Sequence, residues 1–214
     1  MKGLILKDFY VMKKHFKIIF LIILVFNALS IVNNNSVFFI FYPALFAGTM
    51  PMSLLSYDEH YHWDKYSATL PYSKSQLVSV KYIISIICEV VVITLSILAA
   101  GTNMIINDSF NIETLFNLFI LLISLALIIP ALSLPFMFKL GVEKGRIVYY
   151  VAIGIACAMS FIMSDAAATN QTQTTVIANY SFPLPALIIA SVAAATAYAL
   201  SWLISISFYK KREF

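Results

Sequence analysis

Six long apolar stretches interrupt this chain, and they decide what it can become. They are Phe16–Val32, Val37–Ser56, Tyr82–Thr102, Leu115–Phe138, Ile147–Met163 and Leu184–Phe208. Each falls within the roughly 17–25 residues that carry a helix across the hydrocarbon core of a membrane. Of 214 residues, 61% are hydrophobic and 11% charged, against about 45–50% and 25% in soluble domains. A soluble domain of this size buries only about 70–75% of its unfolded surface. The surplus apolar surface needs lipid as its solvent. The pattern predicts an all-α integral membrane protein with six transmembrane helices, forming one domain over residues 1–214. Asn33-Asn34-Asn35-Ser36 is short enough to make the first two spans an antiparallel hairpin.

The basic residues set the orientation. Lys2, Lys7, Lys13, Lys14 and Lys17 precede or enter the first span, and Lys65, Lys74 and Lys81 follow the second. Lys139, Lys144 and Arg146 follow the fourth, and Lys210, Lys211 and Arg212 end the chain. These are all 14 Lys and Arg residues; the three opposite loops carry only Asp108, Glu113 and Asp165. Basic residues collect on the cytoplasmic side, so both termini are expected in the cytoplasm. The pI near 9.0 then reflects membrane flanks and needs no nucleic-acid partner. The lysine-studded start, with no small-residue cleavage site after its apolar run, does not read as a cleavable signal. Cys88 and Cys157 lie in apolar runs and read as small buried hydrophobes.

Residues 3–15 carry Leu4, Ile5, Phe9 and Met12 at helical spacing, with Phe16 next, while Lys7, Asp8, Lys13 and Lys14 fall elsewhere on the turn. The spacing predicts an amphipathic helix lying in the membrane interface. The plainer alternative is a positively charged anchor.

Residues 56–81, SYDEHYHWDKYSATLPYSKSQLVSVK, form the one loop where His, Trp, Tyr and acids concentrate. Tyr57 to Asp64 is expected to form a short helix with Asp58 and Glu59 in its first turn, where acids oppose the helix dipole. His60 and His62 are two apart and would point to different faces of a helix. No H-E-x-x-H or Cys/His cluster is present, so a metal site is not supported. A partly wet protein interface suits these side chains better. Leu70-Pro71 breaks the chain, and Ser73 or Ser75 is placed to cap the next helix. Residues 139–146, KLGVEKGR, form a second turn, with Gly141 and Gly145 as breakers. It is either a connection or a second docking contact through Lys139, Glu143 and Lys144.

Glu89 is the one acid deep in a span. It lies eight residues from Lys81, about 12 Å along a helix. Such a group either serves a translocation pathway or is held structurally by Ser, Thr or Tyr on a neighbouring helix. Pro43, Pro51, Pro130 and Pro135 free carbonyls and kink their spans. The rows Ala190/Ala194, Ala193/Ala197 and Ser191/Ala195/Ala199 allow close helix approach. There is no G-x-x-x-x-G-K-[ST] and no hydrolase motif, so the chain itself is not expected to hydrolyse ATP or any other substrate.

The arrangement resembles the membrane-spanning subunit of ABC exporters of the type-2 permease class. The likeness covers essentially the whole chain: an N-terminal helix beginning MKGLILKDFY, six spans, and the loop DEHYHWDKYSATLPYSKSQLVSVKY. Asp58, Glu59, Trp63, Leu70, Pro71, Lys74, Lys81 and Tyr82 match the class pattern of acids, aromatic, Leu-Pro, basic residue and Lys-Tyr. The resemblance implies that Tyr57–Ser67 is a coupling helix docking on a separate ATPase subunit through Tyr57, Asp58, Glu59, His62, Trp63, Asp64 and Tyr66. ATP and Mg would be bound on that partner, with no cofactor on this chain and two permease copies in the exporter. Size and the lack of a large outer domain look most like the bacterial permeases that export phenol-soluble modulins and similar amphipathic peptides. The rival readings are a non-transporting assembly or peptide-immunity protein, and an ion-coupled carrier using Glu89.

Overall fold

The computed structural model describes residues 2–32, 37–67, 69–108, 110–147, 150–151 and 184–211. The described residues are helical, joined by turns. The helices are α1 (Lys2–His15), α2 (Lys17–Val32), α3 (Val37–His60), α4 (Trp63–Ser67), α5 (Lys74–Ile106), α6 (Ile112–Leu140) and α7 (Leu184–Lys211). Residues 142–147 are also helical. Among the described residues α3, α5, α6 and α7 are long and apolar enough to cross a membrane. The α1–α2 pair, bent by 70°, makes a fifth candidate. Of the expected fifth span, Ile147–Met163, residues 148–149 and 152–163 lie outside the described residues. So does Cys157.

The helix ends differ from the expected spans in one consistent way. α3 runs four residues past Ser56, and α5 begins eight residues before Tyr82. At 1.5 Å per residue the 33 residues of α5 are about 50 Å long, well beyond a hydrocarbon core of about 30 Å. Apolar runs mark where lipid begins, whereas the backbone hydrogen bonds continue the helix into polar surroundings. Ser73 starts α5 with a complete capping box: its side chain accepts from the Gln76 amide, and Gln76 bonds back to the Ser73 amide. Two donors that no helix can satisfy internally are thus closed by local sequence.

α5 is the spine. One of its sides, with Ile84, Cys88 and Val92, packs into a cluster that includes Leu4 and Phe16, Ile23 of α2, and Ala47, Met50 and Leu54 of α3. Toward α6 and α7, Val78 and Tyr82 join Ala131, Leu134, Phe138, Tyr198 and Tyr209. Ile86, Ile87, Val90 and Leu98 are left facing outward, as suits lipid. α3 and α6 meet closely at Gly48, where a Cβ would sit 2.9 Å from Ile129 side-chain atoms.

In lipid, helices associate by packing and hydrogen bonds, each bond contributing about 0.6–2 kcal/mol, because apolar contact alone gives no preference over lipid tails. A polar seam therefore joins α5 and α7. Tyr82 Oη lies 2.8 Å from Ser201 Oγ and 2.7 Å from Ser205 Oγ. Tyr198 donates to the Tyr82 carbonyl at 2.8 Å, and Trp202 donates to Ser79 at 3.1 Å while stacking on Tyr82. At the far end Asn103 donates to the Ser30 and Ile31 carbonyls, closing two of the orphan acceptors at the end of α2.

The small-residue rows of α7 act differently from expectation. α7 turns Leu187, Ala194, Tyr198, Ser201, Ser205 and Tyr209 inward. The 3–4-residue spacing of this polar-aromatic stripe defines the buried face. Of the named alanines only Ala194 lies on it; Ala190, Ala193, Ala195, Ala197 and Ala199 are exposed within the described residues.

α6 and α7 run parallel. Phe138 meets Tyr209 edge-on at 5.5 Å, and Lys139 Nζ lies 5.1 Å from the Phe208 ring centre. The chain between Leu140 and Leu184 therefore starts and finishes at opposite ends of the bundle. One end gathers α1, the end of α3, α4, the start of α5 and the ends of α6 and α7. All described Lys residues lie toward this basic end.

Candidate functional site

The turn between α3 and α5 lies at the basic end. Its chemistry begins inside α3, not in a separate helix. Tyr57, Asp58 and Glu59 belong to the last turn of α3, and His60 ends it. The expected short helix with Asp58 and Glu59 in its first turn is thus corrected. Nothing breaks the backbone before Tyr61, so the α3 hydrogen bonds run on through the acids. His62 then takes φ 53, in the left-handed region that histidine tolerates better than branched residues. This redirects the chain into α4, whose five residues are WDKYS. Thr69, Leu70 and Pro71 complete the return to Ser73.

Asp58 was expected to face a partner. It is instead only 6% exposed and sits in a ring of four charges. Lys7 Nζ lies 2.5 Å from Asp58 Oδ1 and 3.0 Å from Asp8 Oδ1. Lys81 Nζ lies 2.5 Å from Asp58 Oδ2 and 2.7 Å from Asp8 Oδ2. Each carboxylate faces two ammonium groups and the ring carries no net charge. It ties α1, α3 and α5 together at one point. Trp63, the first residue of α4, covers Lys7, whose Nζ is 4.1 Å from its ring centre. Part of Trp63 is thus turned toward the chain itself. Tyr57 packs edge-on against Phe16 at 6.1 Å.

No sequence spacing joins the four members of the charge ring. Helical spacing sets Asp8 with Lys7, Lys13 and Lys14, apart from the apolar residues of the first helix. In the structure Asp8 and Leu4 are inward and Phe9 is outward, because Lys81 supplies Asp8 with a partner 73 residues away. Asp8 is the single acid of its helix and Lys81 sits at the edge of an apolar run. Those facts mark both as unusual without pairing them.

Glu59 makes the second connection. Its Oε2 accepts from the Val142 amide at 2.9 Å. Val142 begins the helical residues 142–147, directly after Gly141, which ends α6 with φ 86. That backbone region disfavours a side chain. Residues 139–146 are therefore not one open turn. Lys139 is still in α6, and Gly145 is helical and pressed against Met137, where a Cβ would meet Cγ at 2.5 Å. Glu143 and Lys144 are exposed. The two segments at the basic end are joined by one carboxylate.

The outward residues of the turn are His60, Tyr61, His62, Lys65 and Tyr66. Tyr61 and Tyr66 are well exposed, and Trp63 and Tyr66 rings lie 5.3 Å apart. Asp64 lies in α4, and its side chain is outside the described part. Among the described residues no group of three His, Cys, Asp or Glu side chains is placed to hold a metal ion. The arrangement presents an aromatic surface, with His60, His62 and Lys65, on a base fixed by charge pairs.

Glu89 is 3% exposed. It accepts from Ser85 Oγ at 3.0 Å, one turn nearer the basic end. Ser85 and Glu89 continue the α5 face that begins with Tyr82. Carboxylate, serines and tyrosine thus share the polar side of the spine.

A buried charge left alone is costly, so the ring makes a testable demand. Asp58→Asn is expected to destabilise the purified chain by roughly 3–5 kcal/mol. Adding Lys7→Gln restores neutrality, leaves the Lys81–Asp8 pair and should recover part of the loss. Thermal unfolding of wild type, single and double variants measures both effects; an unchanged Asp58→Asn protein would show that the ring does not hold these helices.

No curated protein and no solved structure matches the chain significantly. Residues 3–210 match the family model described as ABC-2 family transporter protein. That span takes in all the helices described above but for Lys2 of α1 and Lys211 of α7, and the chain belongs to the ABC-2 family of transporter membrane proteins.

Proposed function

We propose that this chain is the permease subunit of an ABC exporter, moving amphipathic peptides out of a bacterial cell with ATP hydrolysed on a separate subunit. The basic end faces the cytoplasm, with both termini there and six spans in all. The parallel course of α6 and α7 supports that count, because the chain must change sides between them. Two permease copies would pair with two ATPase subunits, which carry the ATP and Mg.

One observation carries the reading. An exposed, aromatic-rich turn stands on a largely buried charge ring that reaches three helices. A surface that only binds needs no such base. A surface that passes a push into the membrane does, since coupling travels through packed and ion-paired elements that move as bodies. In this reading Tyr61, His62, Lys65 and Tyr66 meet the ATPase, with Glu143 and Lys144 as a second contact. Tyr57, Asp58, Glu59 and Trp63 fix the turn from behind. Displacement of the turn is then displacement of α1, α3 and α5 together, and through Glu59 of residues 142–147.

The docking surface is tested by capture. Tyr61→Ala with Tyr66→Ala leaves the ring intact, so the permease should insert and melt normally. Loss of interface anchors commonly costs about 2 kcal/mol or more, over tenfold in affinity. Co-purification with the ATPase subunit should fall accordingly, and undiminished capture would remove the turn from the interface.

Glu89 is proposed to enter the peptide route when α5 and α7 part. It is the one acid deep in a span and lies beside their polar seam, where a cationic amphipathic peptide would find a counter-charge. Glu89→Gln keeps the shape and the Ser85 bond. Insertion and assembly should persist while peptide export falls; full export by this variant would make Glu89 structural. Export driven by a proton gradient without ATP would instead favour the ion-coupled carrier.

A further inference from the structure

The charge ring changes what α1 presents to its surroundings. Asp8 is the one acid of this helix, and it is turned inward onto Lys7 and Lys81. Lys7 is held by Asp8 and Asp58. The outward face keeps Lys2, Lys13 and Lys14, all exposed. Between them lie Leu6, Phe9 and Tyr10, each more than half exposed. At 100° per residue these six positions share an arc of about 140°. No acid stands among them.

The helix also lies at a definite angle. It is bent by 70° from α2, so with α2 crossing the bilayer α1 runs nearly along the membrane surface. A face that interleaves aromatic and aliphatic groups with lysines suits the boundary between acyl chains and headgroups. The rings enter the boundary and the lysine stems extend back toward phosphate. An uninterrupted positive charge there selects anionic lipid over neutral lipid.

We propose that the outward face of α1 is a binding site for anionic phospholipid headgroups, and that the charge ring carries its occupancy to the docking turn. Phe9 and Tyr10 follow directly on Lys7 and Asp8. The Lys7 ammonium that closes the ring also rests on Trp63, the first residue of α4. Any shift of α1 on the lipid surface carries Lys7, the Trp63 ring in contact with it and the segment that holds Lys65 and Tyr66 along as one body. The inference rests on membrane placement and not on transport. Its test needs neither ATPase nor peptide, so the two proposals fail separately.

The full chain carrying Trp202→Phe, which leaves Trp63 as the single tryptophan, is placed in nanodiscs. The lipid is phosphatidylcholine alone or with a rising share of phosphatidylglycerol. Native mass spectrometry reads retained phosphatidylglycerol, and Trp63 emission reads the turn. Phosphatidylglycerol is expected to be retained in preference and to shift the emission. Replacing Lys2, Lys13 and Lys14 by Gln should weaken the response about fivefold per lysine, with unchanged melting in phosphatidylcholine. Lys7→Gln should still retain the lipid while the emission no longer responds. If that variant responds like the parent, the link to the turn is wrong. An equal preference for both lipids, or a triple variant that titrates like the parent, would overturn the site. So would cross-linking of two copies through a cysteine at Tyr10 in neat phosphatidylcholine, which would give this face to a second copy of the chain.

Discussion

Two lysines and two aspartates, each cation shared by both anions, hold the basic end of this protein together. The ring draws Lys7 and Asp8 from α1, Asp58 from the last turn of α3 and Lys81 from the second turn of α5. Removing charges from water is costly, and mutual attraction offsets that cost only when the geometry leaves no member unpaired. Here every member has two partners. The result is not chiefly added stability, since apolar residues of similar volume often stabilise as well. It is a fixed relation between three helices that no apolar contact would specify so narrowly.

The rest of the bundle is arranged around the same spine. α5 carries the ring at its start, then Tyr82, Ser85 and Glu89 along one side, and Asn103 near its other end. Toward α7 the seam of Tyr82 with Ser201 and Ser205 fixes rotation as well as distance. At the far end the Asn103 amide closes the carbonyls of α2. Polar groups thus set the register of helices that lipid alone would leave free to slide. Glu59 adds the residues after α6 to the same body through the Val142 amide. The turn with Tyr61 and Tyr66 projects from that body on a single left-handed residue, His62.

Much of this was legible in the sequence where the cause is local. Hydropathy over about twenty residues locates a span, and α2, α3, α5, α6 and α7 lie where their apolar runs place them. Ser73 caps α5 because a Ser with Gln three residues on closes its own donors. What depends on rotation or distant pairing was not legible. Asp58 and Trp63 read as interface groups because acids, Trp, Tyr and His concentrate in one loop that resembles a coupling loop. Asp58 turns inward, and Trp63 in part, because Lys7 lies 51 residues from Asp58 in sequence and beside both in space. The alanines of α7 read as a packing face, but Tyr198, Ser201 and Ser205 found stronger partners and turned most of them outward. Glu59 and Val142 meet across 83 residues, a contact that no spacing rule reports.

The central claim is mechanical: α1 and the turn that carries Tyr61 and Tyr66 move as one body because the ring joins them. Spin labels at Lys13 on α1 and Lys65 on α4, both exposed, measure this directly in the proposed complex with an ATPase subunit. Distances between labels are compared without nucleotide and with ATP trapped. With two permease copies in the proposed exporter, the account predicts that the Lys13–Lys65 distance within one copy stays fixed while the Lys65–Lys65 distance between copies changes. A Lys13–Lys65 distance that changes along with it would contradict the account, because the turn would then be moving free of the helix that the ring is supposed to hold.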